Sequence, residues 1–149
     1  MERLYADRLD GVGTYVKVVW SPDPSKAFIV LYLRPRGRFL FGGFWEGYEY
    51  SLAAGSWHKQ GREIRLDGRE TTQNRHGAGT GRWKVRPRFR IEDSNHTPVL
   101  RAASELSGWS LLGWSGDFVY VGPNTVIAPG WLPSSMSAVD ARINELWER

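Results

Sequence analysis

The sequence predicts a small, mainly β domain: an antiparallel β-barrel, closed or half-closed, with one α-helix at its carboxy-terminal end. Three observations lead there. Most of the chain is short runs of β-branched and aromatic residues broken by glycine, proline and Asp/Asn turns. Only the last dozen residues carry a clear helical period. At 149 residues the chain is a single domain's worth, so many short strands must protect their edges within one unit, and closure is the most complete way to do so.

The elements follow in order. "TYVKVVW" (14–20) is strand-like and ends in the two-proline loop "SPDPS". "AFIVLYLR" (27–34) is apolar on both faces, as a central strand requires, and "PRG" turns it into "RFLFGGFW". In "YEYSLAAGSWHK", Tyr48, Tyr50 and Leu52 share a parity that Trp57 does not, so a bulge is expected at Ala53-Ala54-Gly55. A turn at Gln60-Gly61, the strand "REIRL" and a turn at Asp67-Gly68 come next. "RETTQNRHGAGTG" (69–81) reads as a long polar connection, and "DFVYVG" (117–122) as a short strand. "TPVLRAASELSG" (97–108) fits a helix capped by Thr97 or a strand. The helix is expected over 137–148, with Ser137 and Asp140 as its capping pair and Val139, Ile143, Leu146 and Trp147 on its apolar face. Glu145 and Arg149 make a favourable pair four residues apart.

Composition excludes several classes. A hydrophobic fraction of 41% and a charged fraction of 24% suit a globular chain rather than a disordered one. No apolar run reaches the roughly 18–20 residues of a membrane span, and "MERLYADRLDG" lacks the apolar stretch of a signal peptide. The absence of cysteine excludes disulfides, thiolate chemistry and cysteine zinc sites, and the plain expectation is a cytoplasmic protein.

The charge is unevenly spread. From Arg34 to Arg90 there are 13 Lys/Arg against 5 Asp/Glu, within a chain of net charge +4. The excess peaks in "GRWKVRPRFRIED" (81–93), where Arg82, Lys84, Arg86, Arg88 and Arg90 alternate with Trp83, Val85, Pro87, Phe89 and Ile91. A strand would send every charge to one face and every bulky group to the other. Neighbouring charges about 7 Å apart repel by roughly 0.6 kcal/mol in water before salt screening, so the whole row costs only on the order of 1 kcal/mol. A hairpin with "REIRLD" would also bring Glu63 and Asp67 alongside. The row is therefore tolerable first as a solvated face that protects the strand, and it is also usable as a contact for an anionic or protein partner. Single-strand nucleic-acid binders stack bases on aromatics that share a face with the charges, which Trp83 and Phe89 do not, so sequence-specific nucleic-acid binding is not expected. Pro87 cannot donate to a ladder, which makes this strand an edge, a bulge or one that breaks there.

Other motifs carry less. "HGAGTG" (76–81) lacks the Gly-Lys-Ser/Thr ending of a phosphate loop, and "GWSG" (113–116) is one residue short of a nucleophile elbow. His58, His76 and His96 have no metal-ligand spacing. "EDSNHT" (92–97) is explained by turn and cap duties, and Glu46 with Glu49 brackets a turn. No metal site, cofactor or catalytic constellation is expected.

"GTYVKVVW", "PRGRFLF" and "GSWHKQGREIRL" together make residues 11–68 resemble the small lipocalin-like barrels of bacterial proteins. That resemblance implies a barrel with an interior cavity and transfers no site residues. The functional expectation is a non-catalytic binding domain. Its contact surface would be Arg82, Lys84, Arg86, Arg88 and Arg90 with Arg75 and His76 of the adjacent loop. The first alternative is a pocket for an apolar or aromatic ligand among Tyr15, Trp57, Trp83 and Phe89, and the second is an enzyme on a barrel scaffold.

Overall fold

A computed structural model describes residues 10–17, 27–45, 49–74, 81–102, 117–127 and 133–147. The strands are β1 (Gly13–Lys17), β2 (Ala27–Arg34), β3 (Arg38–Trp45), β4 (Glu49–Gln60), β5 (Glu63–Asn74), β6 (Gly81–Val85), β7 (Arg88–Ser94), β8 (Thr97–Ala102) and β9 (Asp117–Gly122). Among the described residues one α-helix, α1, spans Met136–Trp147. All strand pairs are antiparallel. The order β4-β3-β2-β1-β9-β8-β7-β5 is closed by pairing of β4 with β5, while β6 lies on the second half of β5. The predicted barrel with a carboxy-terminal helix is the fold.

β6 and β7 are two halves of one strand. Gly68 faces Val85 and Ile64 faces Phe89, a single uninterrupted register on β5. Between them the Leu66 N–H donates to the Pro87 carbonyl at 3.0 Å. The return bond is missing because proline has no N–H. Of the three options open to Pro87, the strand breaks there without shifting register, and the barrel has eight strands.

The barrel holds two apolar layers. Inside pack Tyr15, Ile29, Leu31, Leu33, Phe39, Phe41, Trp57, Ile64, Leu66, Phe89, Ile91 and Phe118. Outside, Val30, Tyr32, Leu40 and Ala54 meet Val139 and Ile143 of α1. β2 is therefore apolar on both faces because one lines the barrel and the other lies under the helix. The same fact corrects the expected bulge at Ala53-Ala54-Gly55. β4 keeps one register against both neighbours, with Ala53 and Trp57 facing inward and Leu52 and Ala54 facing the helix layer. Two covered faces imitate a change of parity. The register shift that does occur lies between β1 and β9, where Thr14 faces Gly122 and Tyr15 faces Tyr120, leaving Val121 exposed.

Asp67-Gly68 is not a turn, and the polar stretch from Arg69 to Asn74 is not a loop; both lie within β5. Gly68 is there for proximity: a Cβ on it would stand 2.3 Å from the Ala54 carbonyl oxygen and 2.7 Å from Cζ of Phe39. It faces Gly55, whose own Cβ would meet the Asp67 carbonyl oxygen at 2.2 Å. This glycine pair lets β4 and β5 approach closely there. Residues 97–102 are strand, not helix, joined to β7 through Asn95 and His96 at φ 51° and 66°. Two left-handed residues in a two-residue loop are the type I′ hairpin turn, whose twist matches that of the strands.

α1 starts one residue earlier than expected and with a different cap. The Ser135 side chain accepts from the Ala138 N–H at 3.1 Å, while Asp140 is engaged by Arg34. Val139 and Ile143 are buried and Leu146 is partly so. Glu145 pairs with Arg142 at 2.8 Å; Arg149 lies outside the described residues, as does the side chain of Trp147. The segment after β9 is tied across the barrel. Thr14 donates to the Thr125 carbonyl at 2.5 Å, and Tyr32 donates to the Ile127 carbonyl at 2.9 Å. Among the described residues no helix is long and apolar enough to cross a membrane.

Candidate functional site

The basic strand alternates as its sequence predicts. Val85, Pro87, Phe89 and Ile91 are buried, and Lys84, Arg86, Arg88 and Arg90 are exposed. Arg82 continues the strand at the position opposite Thr71; its side chain, that of Trp83, and the whole of Arg75 and His76 lie outside the described residues.

β5 completes the surface, and its contribution comes from residues the turn reading hid. The Leu66–Pro87 bond and the Ile91 N–H donating to the Arg62 carbonyl at 2.8 Å fix which facing pairs are hydrogen-bonded. Hydrogen-bonded and non-hydrogen-bonded pairs alternate, so every outward pair here is of the second kind, with Cα atoms about 4.5 Å apart and side chains at their closest. Those pairs are Glu63–Arg90, Arg65–Arg88, Asp67 opposite Arg86, and Arg69–Lys84. Opposite charges and like charges thus alternate up the ladder. Arg69 would have been found by carrying the period of "REIRLDGRE" through Gly68.

The ion pairs follow that pattern. Asp67 reaches Arg86 at 3.8 Å, both well exposed. Glu92 binds Arg101 at 2.8 Å and approaches Arg90 at 3.8 Å, and Arg101 also meets Asp117 at 3.3 Å. Glu63 accepts a hydrogen bond from Arg65, and that bond, reinforced by the charges of Arg65, Arg88 and His58, holds its carboxyl below the usual range. Glu63 and Asp67 stand beside the basic row as expected. Among the described residues, Arg69 and Lys84 have no ion pair.

Of the four residues expected around a pocket, Tyr15, Trp57 and Phe89 lie inside the barrel in one buried cluster, and the side chain of Trp83 is outside the described residues. Tyr15 donates to the Gly11 carbonyl at 2.9 Å and Trp57 donates through Nε1 to the Arg34 carbonyl at 2.9 Å. Phe89 meets Phe118 edge-on at 5.4 Å between ring centres. Trp83 has its backbone opposite Glu70, a 3%-exposed carboxylate on the inner face that the sequence reading overlooked. Its position shows only once Gly68 is read as strand. His58 is exposed opposite Arg65, and His96 sits in the β7–β8 turn.

This is the class that fold and site define: a closed eight-stranded antiparallel barrel with a helix on one side and a cationic ladder on its β5–β7 face. Compared with known protein families, with curated proteins and with solved structures, the chain matches none.

Proposed function

We propose that the protein is a non-catalytic binding domain whose β5–β6–β7 ladder docks on an acidic protein surface. One observation carries the reading: Arg69 and Lys84 face each other, exposed, at the closest cross-strand position and without an ion pair among the described residues. A protective face needs charges but not facing like charges, which destabilise a sheet by a few tenths of a kcal/mol up to about 1 kcal/mol. An anionic group spanning the two removes that cost. Phe89 is buried rather than outward, which supports a carboxylate partner over a nucleic acid that must stack its bases.

Fluorescence anisotropy with labelled polyglutamate tests this. Affinity should fall steeply between low and physiological salt. Arg69→Glu/Lys84→Glu should weaken it at least about tenfold while stability moves by about 1 kcal/mol or less. Unchanged affinity in the double variant defeats the proposal; tighter binding of single-stranded DNA than of polyglutamate replaces its partner class.

A further inference from the structure

We infer that the groove between the β2–β3 turn and α1 binds a small ligand through a phosphate or carboxylate group held by Arg36 and Arg38. This site is separate from the ladder and does not rest on the function proposed above. The groove has a volume of about 340 Å³ and is bordered by Arg34, Arg36, Arg38, Asp140, Ile143 and Asn144. That volume suits a small molecule.

Its charges are arranged in two tiers. Arg34 gives Asp140 a two-point grip, Nε at 2.8 Å and Nη2 at 3.1 Å, with the Arg34 side chain only 12% exposed. That pair uses both carboxylate oxygens and neutralises itself. Arg38 donates to the side-chain oxygen of Asn144, a neutral partner. Arg36 is exposed and has no hydrogen bond or ion pair among the described residues. Two guanidinium charges therefore border the groove without a carboxylate of their own, beside the apolar contact of Ile143. Guanidinium groups match the geometry of phosphate and carboxylate oxygens.

The backbone supplies the second observation. Arg36 sits at φ 68°, ψ 20°, in the left-handed region that a β-carbon disfavours. Gly37 follows at φ 68°, where a Cβ would stand 2.9 Å from the Trp57 carbonyl oxygen. The three-residue turn thus asks for glycine or asparagine at both positions and has glycine at one. Arg36 is exposed, so burial does not offset that strain. What the position gains is a guanidinium on the rim of the groove, beside Arg38. Strain that burial does not offset is a mark of a functional position.

The test is thermal unfolding of the full chain at low millimolar sodium phosphate or sodium acetate, against sodium chloride at matched ionic strength. Wild type should gain a saturable rise in Tm over chloride, from phosphate if the ligand group is a phosphate and from acetate if it is a carboxylate. Arg36→Gly should start from a higher Tm, because the strain is gone, and lose the increment; Arg38→Gln should weaken the apparent affinity at least about tenfold. Arg69→Glu/Lys84→Glu should keep the increment. The inference is overturned if wild type responds alike to all three salts, if Arg36→Gly keeps the full increment, or if only the ladder variant loses it.

Discussion

Replacing Ile143 by alanine takes three carbon atoms out of the seam between α1 and the barrel. Ile143 is 1% exposed and packs among Val30, Tyr32, Leu40, Ala54 and Val139. At about 0.8 kcal/mol per buried methylene, the transfer loss alone is about 2.4 kcal/mol. Isoleucine-to-alanine changes in tight cores cost roughly 2–5 kcal/mol, the excess coming from cavities that cannot close. Ile143 also borders the groove, so side chains there can move into the space it leaves and keep the cavity contribution small. The expected loss is about 2.5–3.5 kcal/mol, or a fall in Tm of about 5–14 °C for a domain of this size. Helix propensity does not confuse the result, since alanine is the better helix former. The assay is urea unfolding followed by tryptophan fluorescence and far-ultraviolet circular dichroism. Ala141→Gly, on the exposed side of α1, serves as a companion that costs about 1 kcal/mol through propensity alone. A loss below about 0.5 kcal/mol for Ile143→Ala would mean that the seam does not stabilise the fold. A helix transition separate from the barrel transition would refute cooperative docking just as directly.

Two further outcomes follow from buried groups. Burial pushes the Tyr15 hydroxyl well above the usual tyrosine range, with Tyr120 and Asp10 adding to it, and burial raises Tyr32 against the pull of its Ile127 bond. The native state keeps protons that the unfolded chain loses near pH 10, so stability is intact below about pH 10 and falls above it by up to about 1.4 kcal/mol per pH unit for each such tyrosine. Urea unfolding across that window, with tyrosinate absorbance alongside, should show the fall, and Tyr15→Phe should flatten it. Gly68→Ala should cost about 2–3 kcal/mol, because the added carbon meets the Ala54 carbonyl oxygen and the Phe39 ring. Gly61→Ala meets nothing within 4 Å but sits at φ 62°, and should cost only about 1 kcal/mol in the same denaturation measurement.

Strand existence and the inward or outward facing of β7 were legible because period-two alternation survives any tertiary arrangement that buries one face. Reading failed where a residue's usual role and its role here differ. Asp67-Gly68 has turn chemistry, yet Gly68 serves a close approach between strands that no local pattern records. Ala53-Ala54-Gly55 looked like a bulge because the second apolar face of β4 is covered by a helix more than 80 residues further along the chain. Asp140 has the spacing of a helix-cap residue, but Arg34, 106 residues away, claims it. The same distance problem hid the ladder's like-charged pairs: Arg82 to Arg90 were visible as a row, while their opposing residues depended on the register of β5.

Closure through β1 and β9 gives the chain a timetable. Tyr15 pairs with Tyr120, so during synthesis the open edge of β1 waits until the chain has been made as far as Tyr120. At about 5–20 residues per second that interval is on the order of 5–20 s. Through it, β1 to β8 exist at most as an unclosed sheet with two unpaired edges, and the apolar outer face of β2 and β3 stays wet until α1 follows. Two late elements, β9 and α1, therefore supply the closing strand and the cover. A nascent chain halted before residue 117 would hold most of its core residues and none of the means to seal them.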